Sequence, residues 1–86
     1  MRAFNVIIAR ITYNMYMNCY ENLSSKLKSL RSQSKETQNQ VADKTGIPRS
    51  NLARYETGEN IPPLDVLVAL AKYYDVTVDY LLGLEE

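Results

Sequence analysis

The sequence is 86 residues long, so we expect one small domain without a separate effector domain. It has a single cysteine and no histidine, which excludes an internal disulfide and argues against a zinc or iron site, and we expect no cofactor. Its net charge of zero at pH 7 argues weakly against a nucleic-acid partner, because phosphate-binding proteins usually carry a basic surplus.

Residues 1–21 have a different pattern from the rest of the chain. From Ile7 to Cys19 the odd positions are mostly apolar, whereas the even positions from Arg10 to Asn18 are mostly polar. This period of two favours a strand. A lone strand leaves its backbone groups unpaired, so the extension either pairs with a second copy or is poorly ordered in the monomer.

Two further interpretations of this extension remain open. In the first, the biological start is Met17, directly before the first helix of the domain. In the second, the extension forms a short helix of its own. Asn5 and Arg10 interrupt its apolar run, which is too short to span a bilayer and precedes no small-residue cleavage site. We therefore expect a cytoplasmic protein without a signal peptide or membrane span, and an arm that the core fold does not require.

Residues 22–84 predict one all-α domain of five helices. The first helix is expected from about Leu23 to Gln33, with Asn22 as its N-cap. Leu23, Leu27 and Leu30 recur at helical spacing, which predicts that they face the core.

The second helix has a clear start and a clear end. Thr37 and Gln40 form a capping-box pattern, in which each side chain satisfies a backbone amide at the first turn. The predicted inner face consists of Val41, Ala42 and Thr45. Gly46 is expected to end the helix in a left-handed conformation, and Pro48 to open the next one. Such a short connection is typical of a helix-turn-helix.

The third helix is predicted from Pro48 to about Glu56, with its end near Gly58. On a helical wheel Pro48, Leu52 and Tyr55 gather on one side, where they anchor the helix to the domain together with Ile47. The opposite face has these polar or small residues: Ser50 and Arg54, flanked by Arg49, Asn51 and Ala53. A short helix with donors on its outer face fits a DNA major groove, although a solvated amphipathic helix has the same pattern.

The last two helices follow the two prolines at positions 62 and 63. Pro63 is expected to open the fourth helix, with these residues facing inward: Leu64, Leu67, Val68, Ala71 and Tyr74. The stretch "DVTVDYLLG" predicts a fifth helix, capped by Thr77 and ended by Gly83.

The charges are distributed unevenly along the chain. Seven cations face four carboxylates between residues 24 and 60, whereas one cation faces five carboxylates from residue 61 onward. This asymmetry indicates one side of the molecule that attracts anions, although an ordinary solvated surface can produce it by chance.

Four segments together resemble a known family: "LKSLR" (27–31), "TQNQVADKTGI" (37–47), "NLARYETG" (51–58) and "IPPLDVLVALAKYYDVTVDYLLG" (61–83). Over residues 22–83 the chain resembles the Cro/CI-type, or XRE-like, helix-turn-helix family of phage repressors, Cro proteins and small bacterial regulators. The resemblance implies a five-helix lambda-repressor-like domain in which helices 2 and 3 form the helix-turn-helix.

The resemblance also implies which residues touch DNA. The implied base contacts lie on the outward face of the third helix: Arg49, Ser50, Asn51 and Arg54. Implied phosphate contacts come from Gln38, at the start of the second helix, and more weakly from Thr57 and Asn60. An arginine fork can donate two hydrogen bonds to one guanine. Lys35 and Lys44 either add nonspecific attraction or are ordinary solvated lysines.

Glu56 lies beside the core-facing edge of the third helix, where a carboxylate requires a cation. Arg31 is the natural partner, and the resemblance implies an arginine–glutamate pair at these two positions. We interpret this ion pair as structural. The following loop departs from common family members, because it carries Glu59 and no basic residue, which implies modest affinity for DNA.

The resemblance implies a sequence-specific regulator of transcription that binds double-stranded DNA; a repressor is favoured, and the sequence leaves activation open. A homodimer on a pseudo-palindromic operator is expected, because a second copy doubles the footprint of one short helix. The resemblance implies that the dimer forms through the C-terminal helices. The implied interface residues, some of which must instead belong to the core, are Tyr73, Val78, Tyr80, Leu82 and Leu84. The alternative is an antitoxin-type regulator that uses the same module to bind a toxin or another regulator. An enzyme is not expected, because no glycine-rich phosphate loop or nucleophile–base set is present.

Overall fold

The computed structural model describes residues 19–84, which form five helices and no β-strand. The described part of α1 covers residues 19–33, and the other helices are α2 (Gln38–Thr45), α3 (Arg49–Thr57), α4 (Leu64–Tyr73) and α5 (Val78–Leu82). The predicted all-α fold is confirmed. The predictions for the N-terminal arm and for a start at Met17 concern residues 1–18, which lie outside the described residues.

The start of α1 differs from the prediction. The chain is already helical at Cys19, so Asn22 lies within α1 and is not its N-cap. Its side-chain Nδ2 instead lies 3.5 Å from the Leu82 carbonyl oxygen, at the end of α5. Asn22 is of a residue type that favours helix N-caps, but here it makes a long-range contact between the two ends of the domain. None of the helices of residues 19–84 is long and apolar enough to cross a membrane.

The turn between α2 and α3 follows the sequence signals closely. The Thr37 hydroxyl accepts a hydrogen bond from the Gln40 amide at 3.1 Å, and the Gln40 side chain accepts one from the Thr37 amide at 2.7 Å. Gly46 takes the left-handed conformation, with φ of 78°, and its amide donates to the Ala42 carbonyl. Pro48 is the N-cap of α3, so the helix begins at Arg49, one residue later than predicted.

All five helices contribute side chains to one core. Its buried apolar residues are Leu23, Leu27, Val41, Ile47, Leu52, Tyr55, Leu67, Leu70, Ala71 and Leu81. The prediction that Leu64 faces inward is wrong, and the buried Leu70 was not among the predicted core residues. Leu64 is 74% exposed, because the first turn of α4 extends beyond the core, whereas Leu70 is 1% exposed.

Two helices end on a residue that is not glycine but has a left-handed backbone. Lys35 has φ of 58° and Asp75 has φ of 56°. Beyond each of them an amide reaches back over the helix end, from Glu36 to the Arg31 carbonyl and from Val76 to the Ala71 carbonyl. This hydrogen bond identifies the Schellman motif, in which glycine is the preferred residue.

We expect Lys35→Gly and Asp75→Gly each to raise the free energy of unfolding by about 0.5–1 kcal/mol, because glycine adopts this conformation without the steric cost of a Cβ. Urea denaturation measures the change. Lys35→Ala and Asp75→Ala are the matched controls, since alanine keeps the Cβ and should give no gain. Glycine variants that are less stable than the alanine variants would contradict this account.

Candidate nucleic-acid interface

Helix α3 is held by its inner face. Leu52 and Tyr55 are 3% and 6% exposed, and Ile47, in the preceding turn, is also buried. A helix of nine residues is too short to be stable without packing, so these apolar contacts account for its presence. The anchoring residues predicted from the sequence are thus in place, with the exception of Pro48, which is exposed.

The outer face of α3 presents polar groups to solvent. Arg49, Ser50 and Arg54 are exposed, while Asn51 and Ala53 are half-buried beside them. The residues implied as base contacts therefore share one surface, with Asn51 at its margin. We call Arg49, Ser50, Asn51 and Arg54 the outer face of α3. It offers guanidinium, hydroxyl and amide groups, which are the donors that read base edges in a major groove.

Arg54 has a carboxylate neighbour. Its Nε lies 3.9 Å from the Glu59 Oε2, and the two side chains are 53% and 67% exposed. An exposed ion pair of this length contributes little to stability, so it does not lock the Arg54 side chain. Glu59 nevertheless places a negative charge beside the outer face of α3, where it opposes the approach of phosphates.

The three implied phosphate contacts differ in how much of their polar capacity is already used. Gln38 is half-buried, and its Nε2 donates to the Glu56 Oε1 at 3.2 Å, which leaves its second amide hydrogen for another acceptor. The Thr57 hydroxyl donates to the Arg54 carbonyl at 3.2 Å. The backbone amide of Asn60 donates a hydrogen bond to the same carbonyl. Asn60 is exposed to solvent. Thr57 and Asn60 therefore also act as local caps of α3.

A polar cleft of about 420 Å³ lies at the start of α2 and brings Gln38 and Arg49 together. It is also lined by Arg31, Lys35, Glu36, Thr37 and Asn39. The first-turn amides of α2 and the positive end of its dipole favour an anion at such a place. Sequence analysis overlooked Asn39, an exposed amide directly after Gln38, although the capping box already placed it in the first turn of the helix.

Beneath the outer face of α3, Arg31 and Glu56 form the pair expected from the sequence. Arg31 Nε lies 2.7 Å from Glu56 Oε2, and Nη2 lies 2.9 Å from Oε1. The exposed fractions of the two side chains are 17% and 6%. The hydrogen bond to Glu56 raises the pKa of the Arg31 guanidinium. No buried side-chain polar atom in the described part of the chain is without a hydrogen-bond partner.

The two surface lysines have different environments. Lys44 Nζ donates to Glu36 Oε2 at 2.7 Å, so its charge is paired within the molecule, whereas Lys35 is exposed at the edge of the polar cleft. Of the two, Lys35 is the better placed to attract a phosphate. Residues 19–84 contain no group of histidine, cysteine, aspartate and glutamate side chains that is arranged to hold a metal ion.

Comparison of the sequence with known proteins identifies its family. The sequence profile of the helix-turn-helix family matches residues 27–81, which contain all of α2, α3 and α4. Over 61 residues the chain is 49% identical to the uncharacterized HTH-type transcriptional regulator YobD of Bacillus subtilis, in an alignment that covers 71% of this chain and 54% of YobD.

Two further relatives align with the chain over a similar length. The chain is 38% identical over 65 residues to the HTH-type transcriptional regulator ImmR of Bacillus subtilis, covering 76% of this chain and 51% of ImmR. It is 33% identical over 67 residues to the cryptic phage CTXphi transcriptional repressor RstR of Vibrio cholerae, covering 78% of this chain and 56% of RstR. The chain thus spans about half the length of these curated relatives.

Proposed function

This chain belongs to the helix-turn-helix family, and from that membership we propose that it is a sequence-specific regulator of transcription that binds double-stranded DNA. The family match confirms the resemblance to Cro/CI-type regulators. The observation that carries the proposal is the outer face of α3, where two exposed arginines and a serine stand on a helix whose inner face is fully packed. The relatives are named as regulators and, for RstR, as a repressor.

In the proposed complex α3 lies in the major groove. Arg49 and Arg54 donate to guanine O6 and N7, and each such fork is worth about 1–3 kcal/mol of discrimination against the wrong base. Ser50 and Asn51 supply shorter donors between them. Because Leu52 and Tyr55 fix the helix, the arginines are aimed by the fold, and only their side chains need to become ordered on binding.

Phosphate contacts are proposed on both sides of α3. Gln38 offers its remaining amide hydrogen at the polar cleft, and Thr57 and Asn60 lie at the other end of the helix. The negative charge of Glu59 lies beside Arg54. With few cations along the phosphate path, we expect modest affinity and a shallow dependence of binding on salt concentration.

We include a homodimer in the proposal, because a helix of two turns reads only a few base pairs and a two-fold pair doubles the footprint. Among the C-terminal residues implied for the interface, Leu84 is 47% exposed, and Val78, Tyr80 and Leu82 are half-buried. The Tyr73 hydroxyl instead contacts Glu36 of the same chain, so we leave Tyr73 out of the proposed interface. Such a dimer acts in the cytoplasm as a repressor by occupying its operator.

Selection of bound sequences from random duplex DNA tests the function. We expect the chain to enrich a short pseudo-palindrome, and Arg49→Ala and Arg54→Ala each to weaken binding to it by about 1–3 kcal/mol and to lose the preference at one base pair of each half-site. Lys72→Ala, which removes an exposed cation of α4, is the control and should select the same motif with the same affinity.

Two outcomes would count against the proposal. Identical motifs from the wild type and both arginine variants would remove the outer face of α3 from recognition. A chain that enriches no sequence but forms a stable complex with another protein would favour the antitoxin-type alternative.

A further inference from the structure

Glu36 occupies an unusual position for a carboxylate. It directly precedes Thr37, the N-cap of α2, where an apolar residue often packs against the fourth residue of the helix and fixes the angle at which the chain enters it. That fourth residue here is Val41, which is fully buried. The Glu36 side chain is only 14% exposed, so the polar group occupies the place of an apolar one.

Two side chains from different helices satisfy the Glu36 carboxylate. The Tyr73 hydroxyl lies 2.9 Å from Oε1 and 2.7 Å from Oε2, and Lys44 Nζ lies 2.7 Å from Oε2. Tyr73 is the last residue of α4, and Lys44 lies in the last turn of α2. We call Glu36, Lys44 and Tyr73 the Glu36 clamp. Hydrogen bonds from Lys44 and Tyr73 lower the pKa of Glu36.

The backbone of the same residue is tied to the layer beneath α3. The Glu36 carbonyl accepts a hydrogen bond from Arg31 Nη1 at 3.0 Å, and the remaining donors of Arg31 reach Glu56 on α3. Gln38, two residues after Glu36, donates to the same Glu56 carboxylate. A chain of direct contacts thus runs from the end of α4, through Glu36, to the proposed phosphate contact and to α3.

Of the two contacts to the Glu36 carboxylate, the one from Tyr73 is the better shielded from solvent. Lys44 is 61% exposed at its side chain, and an ion pair with so exposed a partner is weak. Tyr73 is half-buried, and its ring packs edge-on against Tyr74 at 5.1 Å between centroids, which holds the hydroxyl in position. The hydrogen bond to the carboxylate also raises the pKa of Tyr73 above that of an ordinary phenol, which is itself protonated at neutral pH.

We propose that Glu36, held by Tyr73 and Lys44, is a positioning residue for DNA binding, which sets the start of α2 so that Gln38 and its neighbouring amides meet a phosphate. The effect on DNA binding rests on the proposed function. The positioning of the start of α2 by Glu36 concerns the free protein and does not depend on that function. The clamp replaces an apolar contact with a directional one, because hydrogen bonds constrain orientation more narrowly than apolar packing does.

Tyr73→Phe tests the clamp, because it removes one hydroxyl and keeps the ring. Two quantities are measured: the chemical shifts and hydrogen exchange of the Thr37, Gln38 and Asn39 amides in the free protein, and the affinity for the selected duplex at one fixed salt concentration. We expect shifted amides with faster exchange and binding weakened about threefold or more. The slope of affinity against salt should not change, because the lost phosphate contact is made by uncharged amides. Tyr74→Phe is the matched control and should change neither quantity.

A double-mutant cycle adds an independent measure. In a Glu36→Gln background Tyr73→Phe should have a smaller effect on both quantities than in the wild type, because the carboxylate acceptor is gone. A Tyr73→Phe protein that binds the duplex with wild-type affinity overturns the clamp as a positioning device.

Failure of the clamp and failure of the proposed function can be told apart. If the wild-type chain selects no DNA sequence, the proposed function fails. The chemical shifts and hydrogen exchange of the amides in the free protein then decide whether Glu36 positions the start of α2. Gln38 and Asn39 amides that shift in Tyr73→Phe but not in Tyr74→Phe support the positioning of α2 by Glu36. Unchanged amides in both variants overturn it.

Discussion

Replacing Glu56 with glutamine is expected to lower the free energy of unfolding by about 3 kcal/mol. Glu56 is 9% exposed and accepts two hydrogen bonds from Arg31 and one from Gln38. Glutamine keeps the shape of the side chain but removes its charge, and the largely buried Arg31 guanidinium is left without a counter-charge. We take the lower end of the range for buried pairs because Arg31 is 17% exposed. Urea denaturation at pH 7 measures the loss.

Glu59→Gln is the matched control for this variant. Glu59 also lies near an arginine, but both partners are more than half exposed and 3.9 Å apart, so its loss should change stability by less than about 0.5 kcal/mol. Replacing Arg31 and Glu56 together with methionine should recover part of the lost stability, because no unpaired charge then remains. An unchanged melting midpoint for Glu56→Gln would show that the pair is not structural.

The helix-turn-helix itself could be predicted because its signals are local. The capping box of Thr37 and Gln40 and the left-handed Gly46 each act within four residues, and each is present in the structure. The inward orientation of Glu56 could be predicted from its position on the helical wheel of α3. Burying a carboxylate without a cation is costly, so a cationic partner could be predicted as well. Helix ends are properties that a short stretch of sequence determines. The pairing of Glu56 with Arg31, which is 25 positions away, also rests on the family resemblance.

The predictions that were wrong depend on contacts between distant residues. Asn22 has the propensity of an N-cap, but the helix starts before it and its amide faces Leu82, sixty positions away. The Glu36 clamp joins residues 36 and 73, and no periodicity relates them. Sequence reasoning treated Glu36 only as one charge in a basic segment. The assignment of Arg49, Ser50, Asn51 and Arg54 to DNA bases stays a prediction, which the geometry accommodates.

Helix α4 illustrates why periodicity alone did not identify its buried residues. Besides Tyr73, seven of its ten residues are apolar, so several apolar faces fit a helical wheel: Leu64, Val66, Leu67, Val68, Ala69, Leu70 and Ala71. Which face is buried depends on where α2 and α5 contact the helix. The structure selects Leu67, Leu70 and Ala71 and leaves the first turn outside.

The same helix offers a comparison between two leucines of opposite burial. Leu70→Ala should lower the free energy of unfolding by about 3 kcal/mol, from lost apolar burial and the cavity that remains. Leu70 is among the largest fully buried side chains, at 1% exposed. Because a domain of this size has few kcal/mol to lose, we expect partial unfolding near 37 °C, measured by thermal melts followed by circular dichroism.

Leu64→Ala deletes the same atoms from the same helix, at a site that is 74% exposed, and should change stability by less than about 0.5 kcal/mol. The difference between the two variants therefore isolates burial, since residue type and helix are held constant and alanine favours a helix slightly more than leucine does. Equal losses for the two variants would mean that the first turn of α4 packs against something in solution, for which a second copy of the chain is the first candidate to test by sedimentation.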